Sequence, residues 1–177
     1  MDTITLKSYI HTVADFPRPG IRFRDITPLL AAPEAYSAVI TLLKERLSLY
    51  DVEAIVGIEA RGFIFGAALA HHMHLPFHLV RKAGKLPRNT ASVEYALEYG
   101  QDALEIHRDA VKGGQRFAVI DDVLATGGTA QAVVRLLEGC GAQVTCCLFL
   151  MELQGLAGRE KLQSPKVESL LSYTLDE

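Results

Sequence analysis

Two adjacent carboxylates, Asp121 and Asp122, are followed by Val123-Leu124 and then by the loop Ala125-Thr126-Gly127-Gly128-Thr129. An ionised carboxylate only accepts hydrogen bonds, so an acid pair suits the neutral hydroxyls of a sugar and repels a phosphate. The loop has the opposite character. Its glycines let the backbone turn tightly and remove side chains that would block a ligand. Thr126 and Thr129 add hydroxyl donors. If a helix starts there, its unpaired amides converge on one spot and suit a phosphate. Each hydrogen bond to a charged group contributes about 1.5–3 kcal/mol, against about 0.3–1 kcal/mol for the helix dipole at an exposed site. The shape of the loop therefore matters more than its field. Acid pair and loop together point to a phosphorylated sugar. A lone Asp-Asp or Gly-Gly would read as an ordinary connection with solvated side chains; the full order of elements favours the sugar phosphate.

The elements around the loop can position it. Residues 117–120 are a continuous apolar run, as expected of a strand covered on both faces. After the loop, Ala130, Val133, Val134 and Leu137 recur at i, i+3, i+4, i+7, the spacing of one helix face. The loop then lies at the carboxyl end of a strand, where open α/β sheets bind ligands. Upstream, residues 4–14 read as a short helix and 16–28, with Pro17, Pro19 and Gly20, as irregular. A helix over 34–49 carries Tyr36, Val39, Ile40, Leu43 and Leu47 on one face. Strand 54–58, helix 62–74 and strand 77–80 make one strand–helix–strand unit; residues 117–151 make a second, with 144–151 as a central strand. Each helix is long enough for a right-handed crossover. The alternation predicts an α/β fold with a mostly parallel central sheet and helices on both faces. Residues 82–105 have weak periodicity and read as a long, mobile loop with short strands.

Composition narrows the classes. The chain has 177 residues, nearly half of them apolar, enough for a single domain spanning 1–177 with a well-packed core. A net charge of −3 gives nucleic-acid binding no electrostatic support. Cys140, Cys146 and Cys147 are odd in number and lack C-x-x-C spacing, so they read as reduced, mostly buried residues. No apolar stretch reaches membrane-spanning length and no signal peptide is evident, so no membrane partner and a reducing cytoplasm are expected. His71, His72 and His74 lack a further ligand at suitable spacing and read as structural. There is no Walker A or G-x-G-x-x-G sequence, so ATPase and dinucleotide-binding readings lack their motifs.

The segment Val119-Ile120-Asp121-Asp122-Val123-Leu124-Ala125-Thr126-Gly127-Gly128-Thr129 closely resembles the PRPP-binding motif of type I phosphoribosyltransferases, in the version found in members that act on adenine. Phe16-Pro17-Arg18-Pro19-Gly20-Ile21-Arg22-Phe23-Arg24-Asp25-Ile26-Thr27, Glu59-Ala60-Arg61-Gly62, Arg81-Lys82-Ala83-Gly84-Lys85-Leu86-Pro87 and Leu97-Glu98-Tyr99-Gly100 point the same way, and the likeness runs from about Phe16 to Leu162. It implies the family's fold, with a small N-terminal hood at about 16–28 and a flexible catalytic loop at about 82–96. It implies transfer of the phosphoribosyl group of PRPP to adenine, giving AMP and pyrophosphate in purine salvage. It also implies a homodimer, and Mg²⁺ carried by PRPP and water with no protein metal site, which is how Mg²⁺ behaves beside phosphates.

The resemblance assigns roles residue by residue. Ala125, Thr126, Gly127, Gly128 and Thr129 would bind the 5-phosphate, and Asp121 and Asp122 the ribose hydroxyls. Glu59, Ala60 and Arg61 would bind pyrophosphate, in a loop that often has a strained peptide bond; a guanidinium such as that of Arg61 can hold phosphate oxygens bidentately. Arg81, Lys82 and Lys85, with Arg88 nearby, would form a basic lid that excludes water and neutralises the departing pyrophosphate. Arg22, Arg24 and Glu98 would serve adenine. The Arg22 position is usually apolar in relatives and reads the base through its backbone, so its side chain is a departure; Ala60 stands where some relatives have a hydroxyl. Rival readings are a phosphoribosyltransferase for a 6-oxopurine, against which the hood and Leu97-Glu98-Tyr99 argue, and a PRPP-sensing regulator, for whose DNA-binding domain the chain has no room.

Overall fold

The computed structural model describes residues 1–96, 101–175 and 177, and of residues 96 and 101 the backbone alone. The chain divides into two compact units, Met1–Leu42 and Leu43–Glu177.

The first unit differs from its sequence reading. Residues 4–14 are not one helix: helix α1 spans Thr3–Lys7, capped by Asp2, whose carboxylate accepts from the Thr5 amide, and strand β1 spans His11–Ala14. Strand β2, Arg22–Asp25, pairs antiparallel with β1, so part of the Pro/Gly stretch is regular after all. The alternative to a longer helix is this non-local pairing, which local propensity does not contain. The Phe16–Pro17 peptide is cis, and Gly20 takes a positive φ of 85° where the chain turns between the strands. Helix α2 follows at Thr27–Ala31, with a proline in its first turn. Helix α3, Pro33–Leu47, closely matches its apolar spacing and buries Val39, Ile40, Leu43 and Leu47.

The second unit is built on a sheet that has seven strands among the described residues. In chain order it adds β3 (Ala54–Ile58), helix α4 (Gly62–Met73), β4 (Phe77–Lys82), β5 (Thr90–Ala96), β6 (Gln101–His107), β7 (Arg116–Leu124), helix α5 (Gly128–Gly139), β8 (Gln143–Leu153) and β9 (Lys166–Tyr173). The strand order is β5-β6-β4-β3-β7-β8-β9, parallel from β4 through β9 and antiparallel at β6 and β5. Helix α4 carries the chain from β3 outward to β4, and α5 carries it from β7 in the opposite direction to β8. Right-handed crossovers in opposite directions put the two helices on opposite faces. Strands β3 and β7 are therefore the switch point, and the crevice beyond their carboxyl ends is where such sheets bind ligands.

The core explains the apolar runs. All of β3 is buried, as are Phe117, Ala118, Val119 and Ile120 of β7, because helices cover both faces. Helix α4 ends at His74, which adopts the left-handed conformation (φ 54°) of a helix C-terminus. Cys146 and Cys147 are buried and Cys140 half-buried, all free thiols. Burial pushes the Cys146 thiol up to about 12, leaving it an inert core residue. No helix of the described residues is long and apolar enough to cross a membrane.

The region 82–105 departs from its reading as a long loop. Strand β4 runs to Lys82 and β5 begins at Thr90, so only 83–89 is irregular within the expected lid. Strands β5 and β6 pair from Thr90↔His107 to Ala96↔Gln101. Ala91, Leu104 and Ile106 are buried in the same core as α5. Burial on alternate residues is a strand signal, but charges interrupt it in the sequence, and it becomes legible once α5 supplies the other side.

Candidate active site

Two loops leave the switch point. The first follows β3 at Glu59-Ala60-Arg61, and its Glu59–Ala60 peptide is cis. The second follows β7 at 125–127 and starts α5. With Asp121 and Asp122 they line one cavity of about 360 Å³, whose wall includes residues 59–61 and 121–130. The sequence places the acid pair after the strand; the structure keeps both inside β7, which runs to Leu124 because Asp121 and Val123 continue the register against Phe149 and Met151 of β8.

Successive strand residues point to opposite faces, so the two carboxylates have different surroundings. Asp122 is buried and accepts a 2.5 Å bond from Arg61 Nε. Asp121 faces the start of α4: a Cβ on Gly62 would lie 3.0 Å from its Oδ1 and 2.6 Å from the Ile120 carbonyl. Its Oδ1 accepts from the Asp122 amide at 2.9 Å. Burial, and then the neighbouring Asp122 carboxylate, push Asp121 well above the ordinary carboxylate range.

The loop at 125–129 is a backbone device. Gly127 is the N-cap of α5 with φ 77°, a conformation L residues avoid. The Gln131 amide donates to the Gly127 carbonyl, leaving the amides of the helix's first turn without partners four residues back. Around Gly128 a Cβ would meet nothing within 4 Å, so the tight position is Gly127 and the open one Gly128.

The first loop is a charged device. Glu59 accepts from Lys85 Nζ at 2.6 Å, from Arg81 Nε and Nη2 at 3.3 Å, and from the Lys82 amide at 3.0 Å. Burial alone would raise the Glu59 carboxyl, but these donors hold it down at about 2. The basic residues expected to act together are thus distributed. Arg81 and Lys85 gather on Glu59, the Lys82 ammonium bonds Asp102 at 3.1 Å, and Arg88 pairs with Asp109.

Sequence reasoning missed that the hairpin packs beside the helix that follows loop 125–129. Tyr95 packs against the core that α5 shares, and burial leads the causes that raise its hydroxyl above the ordinary range. Tyr95 and Asp102 are direct cross-strand partners. Gly158 was missed as well; the glycines at 155 and 158 signal a turn, but nothing local says what it touches. Arg22 is exposed on β2, while Arg24 is buried there and donates to Thr12 Oγ1. Glu98 and the rest of 97–100 lie outside the described residues.

Comparison with known proteins agrees with this geometry. The family "Phosphoribosyl transferase domain" matches residues 25–172. An adenine phosphoribosyltransferase of Carboxydothermus hydrogenoformans is 54% identical over 168 residues, 95% of this chain and 99% of the relative. This chain belongs to the adenine phosphoribosyltransferase family. Among solved structures, the adenine phosphoribosyltransferase of Thermoanaerobacter pseudethanolicus superposes with a TM-score of 0.94 at 46% identity, covering 97% of this chain and 99% of that one. The Saccharomyces cerevisiae enzyme, complexed with an imino-altritol bisphosphate and adenine, gives 0.86 at 37% identity, covering 98% and 97%. Family and fold thus confirm the α/β architecture with its mostly parallel sheet. The activity is that of a glycosyltransferase of purine salvage, joining adenine to PRPP to give AMP.

Proposed function

We propose that the crevice at the β3–β7 switch point holds PRPP with its 5-phosphate on 125–129 and its pyrophosphate on Glu59-Ala60-Arg61. The observation that carries this reading is that both loops and both aspartates line one cavity. Residues 125–129 offer amides and hydroxyls with no charge to spare, which suits a permanent anion. Asp121 and Asp122 accept from the ribose hydroxyls. Arg61, held by Asp122 at the rim of the cavity, brings its positive charge to the pyrophosphate. Lys85 and Arg81 are gathered beside that loop by Glu59, and with Lys82 they supply charge for the leaving group. As the bond from the anomeric carbon to the pyrophosphate oxygen lengthens, positive charge grows on the ribose and negative charge on the leaving oxygen. The imidazole nitrogen of adenine then bonds to the anomeric carbon as the carbon–oxygen bond breaks with its electron pair on pyrophosphate, and the ring proton passes to the departing pyrophosphate or to water. Glu98 positions the base and no covalent enzyme intermediate is required.

Mg²⁺ is the cofactor in this reading. No cluster of three metal-binding side chains occurs among the described residues. The carboxylates of the crevice, Asp121 and Asp122, are hard oxygen donors that suit a Mg²⁺ held mainly by substrate oxygens and water. When bound, the ion supplies positive charge to the pyrophosphate. A homodimer fits the exposure of Leu79 on β4 and Ile64 on α4, at 40% and 36%. Free thiols fit a reducing cytoplasm.

Adenine selection is assigned to the segment 21–24, with Arg24 held in place and the Arg22 side chain exposed. Adenine offers a 6-amino donor and an N1 acceptor, and hypoxanthine and guanine reverse both. Each buried group left unpaired costs about 1–3 kcal/mol, so two mismatches give a preference of roughly thirtyfold or more. The test measures kcat/KM with adenine, hypoxanthine and guanine, with PRPP and Mg²⁺, on the parent enzyme and on Arg22→Val. Both proteins should prefer adenine. A collapse of selectivity in Arg22→Val alone would transfer recognition to the Arg22 side chain.

A further inference from the structure

Gly158 precedes the short 3₁₀ turn Arg159–Lys161 and has φ −61° and ψ −38°. Any L residue adopts that conformation, so the backbone does not require glycine there. The surroundings do. A Cβ on Gly158 would lie 2.1 Å from the Ala125 carbonyl oxygen and 3.1 Å from the Gly127 amide nitrogen, and one on Gly127 would lie 2.4 Å from the Gly158 carbonyl oxygen. Every one of these neighbours is backbone, which cannot swing aside as a flexible side chain could.

The segment is anchored on its far side. Arg159 donates to both Glu152 oxygens, at 3.1 and 2.5 Å, and to the Val167 carbonyl at 2.5 Å. Ser169 donates to the same carboxylate, which Arg159 holds below the usual range. Gln131, in the first turn of α5, donates to the Lys161 carbonyl at 3.2 Å. Glu152 is the penultimate residue of β8 and Val167 the second of β9, so the C-terminal strands are tied through this turn to the back of the phosphate loop.

We propose that Gly158, held by the Arg159–Glu152 pair, is a positioning residue that sets the shape of loop 125–129 for the 5-phosphate of PRPP, although it lines none of the crevice. The inference rests on reading that loop as the phosphate site. Its amides can converge only while Gly158 lets the two backbones meet. A misplacement of about 1 Å in a substrate-positioning group can cost on the order of a hundredfold.

The experiment compares Gly158→Ala, Arg159→Ala, Arg159→Lys and the loop variant Thr126→Ala. Steady-state constants for PRPP and adenine, ribose 5-phosphate affinity by calorimetry, and Tm are measured for each. Gly158→Ala should raise KM for PRPP and Kd for ribose 5-phosphate by about tenfold to a hundredfold, with KM for adenine within about twofold. Arg159→Ala should raise the same two constants by about threefold to tenfold, and Arg159→Lys should recover part of the loss. If Gly158→Ala does not fold, the Arg159 variants decide. A lowered Tm with unchanged PRPP and ribose 5-phosphate constants overturns the proposal. If Thr126→Ala weakens ribose 5-phosphate while Gly158→Ala does not, the buttress fails and the loop reading stands. If neither changes, the phosphate lies elsewhere and the loop reading itself fails.

Discussion

The two loops of the crevice are built in different ways. The loop after β3 works through side chains: Arg61 is fixed by Asp122, and Glu59 collects Arg81 and Lys85. The loop after β7 works through backbone shape, set by a left-handed Gly127 and its close approach to Gly158. In this reading the first loop holds a group that must leave and the second a group that stays. A leaving group needs charges that can follow it, and a resident phosphate needs a fixed cradle. Charge carried on long side chains gives the first; convergent amides give the second.

The contrast breaks most sharply at the glycines. Gly127→Val forces a branched residue into a positive φ, at about 1–2 kcal/mol, against the Gly158 carbonyl. Losing one aligned amide adds about 1.5–3 kcal/mol, so KM for PRPP should rise roughly a hundredfold or more. Gly128→Ala faces open space and should fold with unchanged Tm. Any loss of PRPP affinity in that variant then reports contact with the ligand itself. Calorimetric PRPP titration of both variants, beside their melting curves, is the measurement; equal affinities would remove the distinction between a tight and an open position.

The acid pair sharpens it next. Asp121→Asn and Asp122→Asn should each lower kcat/KM by roughly tenfold to a hundredfold, the worth of a charged hydrogen bond. Their stabilities should differ. The folded pKa of Asp121 is raised, so its contribution to stability is present below its ordinary pKa and is lost as pH rises through the raised value. Burial therefore disfavours the ionised form, and Asp121→Asn, which cannot ionise, should raise Tm. Asp122→Asn takes the charge partner from Arg61 and should not. Kinetics near the parent in both would remove the ribose assignment; identical melting shifts would remove the difference between the two carboxylates.

The smallest effect is expected at Glu59, whose cationic partners are partly exposed, so that each pair is worth about 1 kcal/mol or less. Its folded pKa of about 2 lies below the ordinary 4.5. The stability it confers is present above the ordinary value and is lost as pH falls toward the folded one. The Tm gap between parent and Glu59→Gln should therefore narrow as pH drops from 4.5 toward about 2. A gap constant with pH would mean that Glu59 acts by packing alone.

The sequence by itself determined the parts whose cause is local. Strand 54–58 and the helices after each loop follow from apolar runs and periodicity, because burial on both faces or on one stripe leaves its mark on consecutive residues. The place of Asp121-Asp122 and of loop 125–129, between a buried strand and a helix, was legible for the same reason. Tertiary structure decided what depends on partners far along the chain. Residues 11–14 became a strand because 22–25 pair with them, and the expected lid became mostly hairpin because β4 and α5 offered an edge and a face. The Glu59 hub joins residues 22 to 26 positions apart. Nothing near Gly158 in the sequence announces that its missing Cβ makes room for Ala125 and Gly127. Composition and periodicity record what one segment needs, whereas register, close approach and shared carboxylates exist only once the crossovers bring β3, β7 and the chain beyond β8 together.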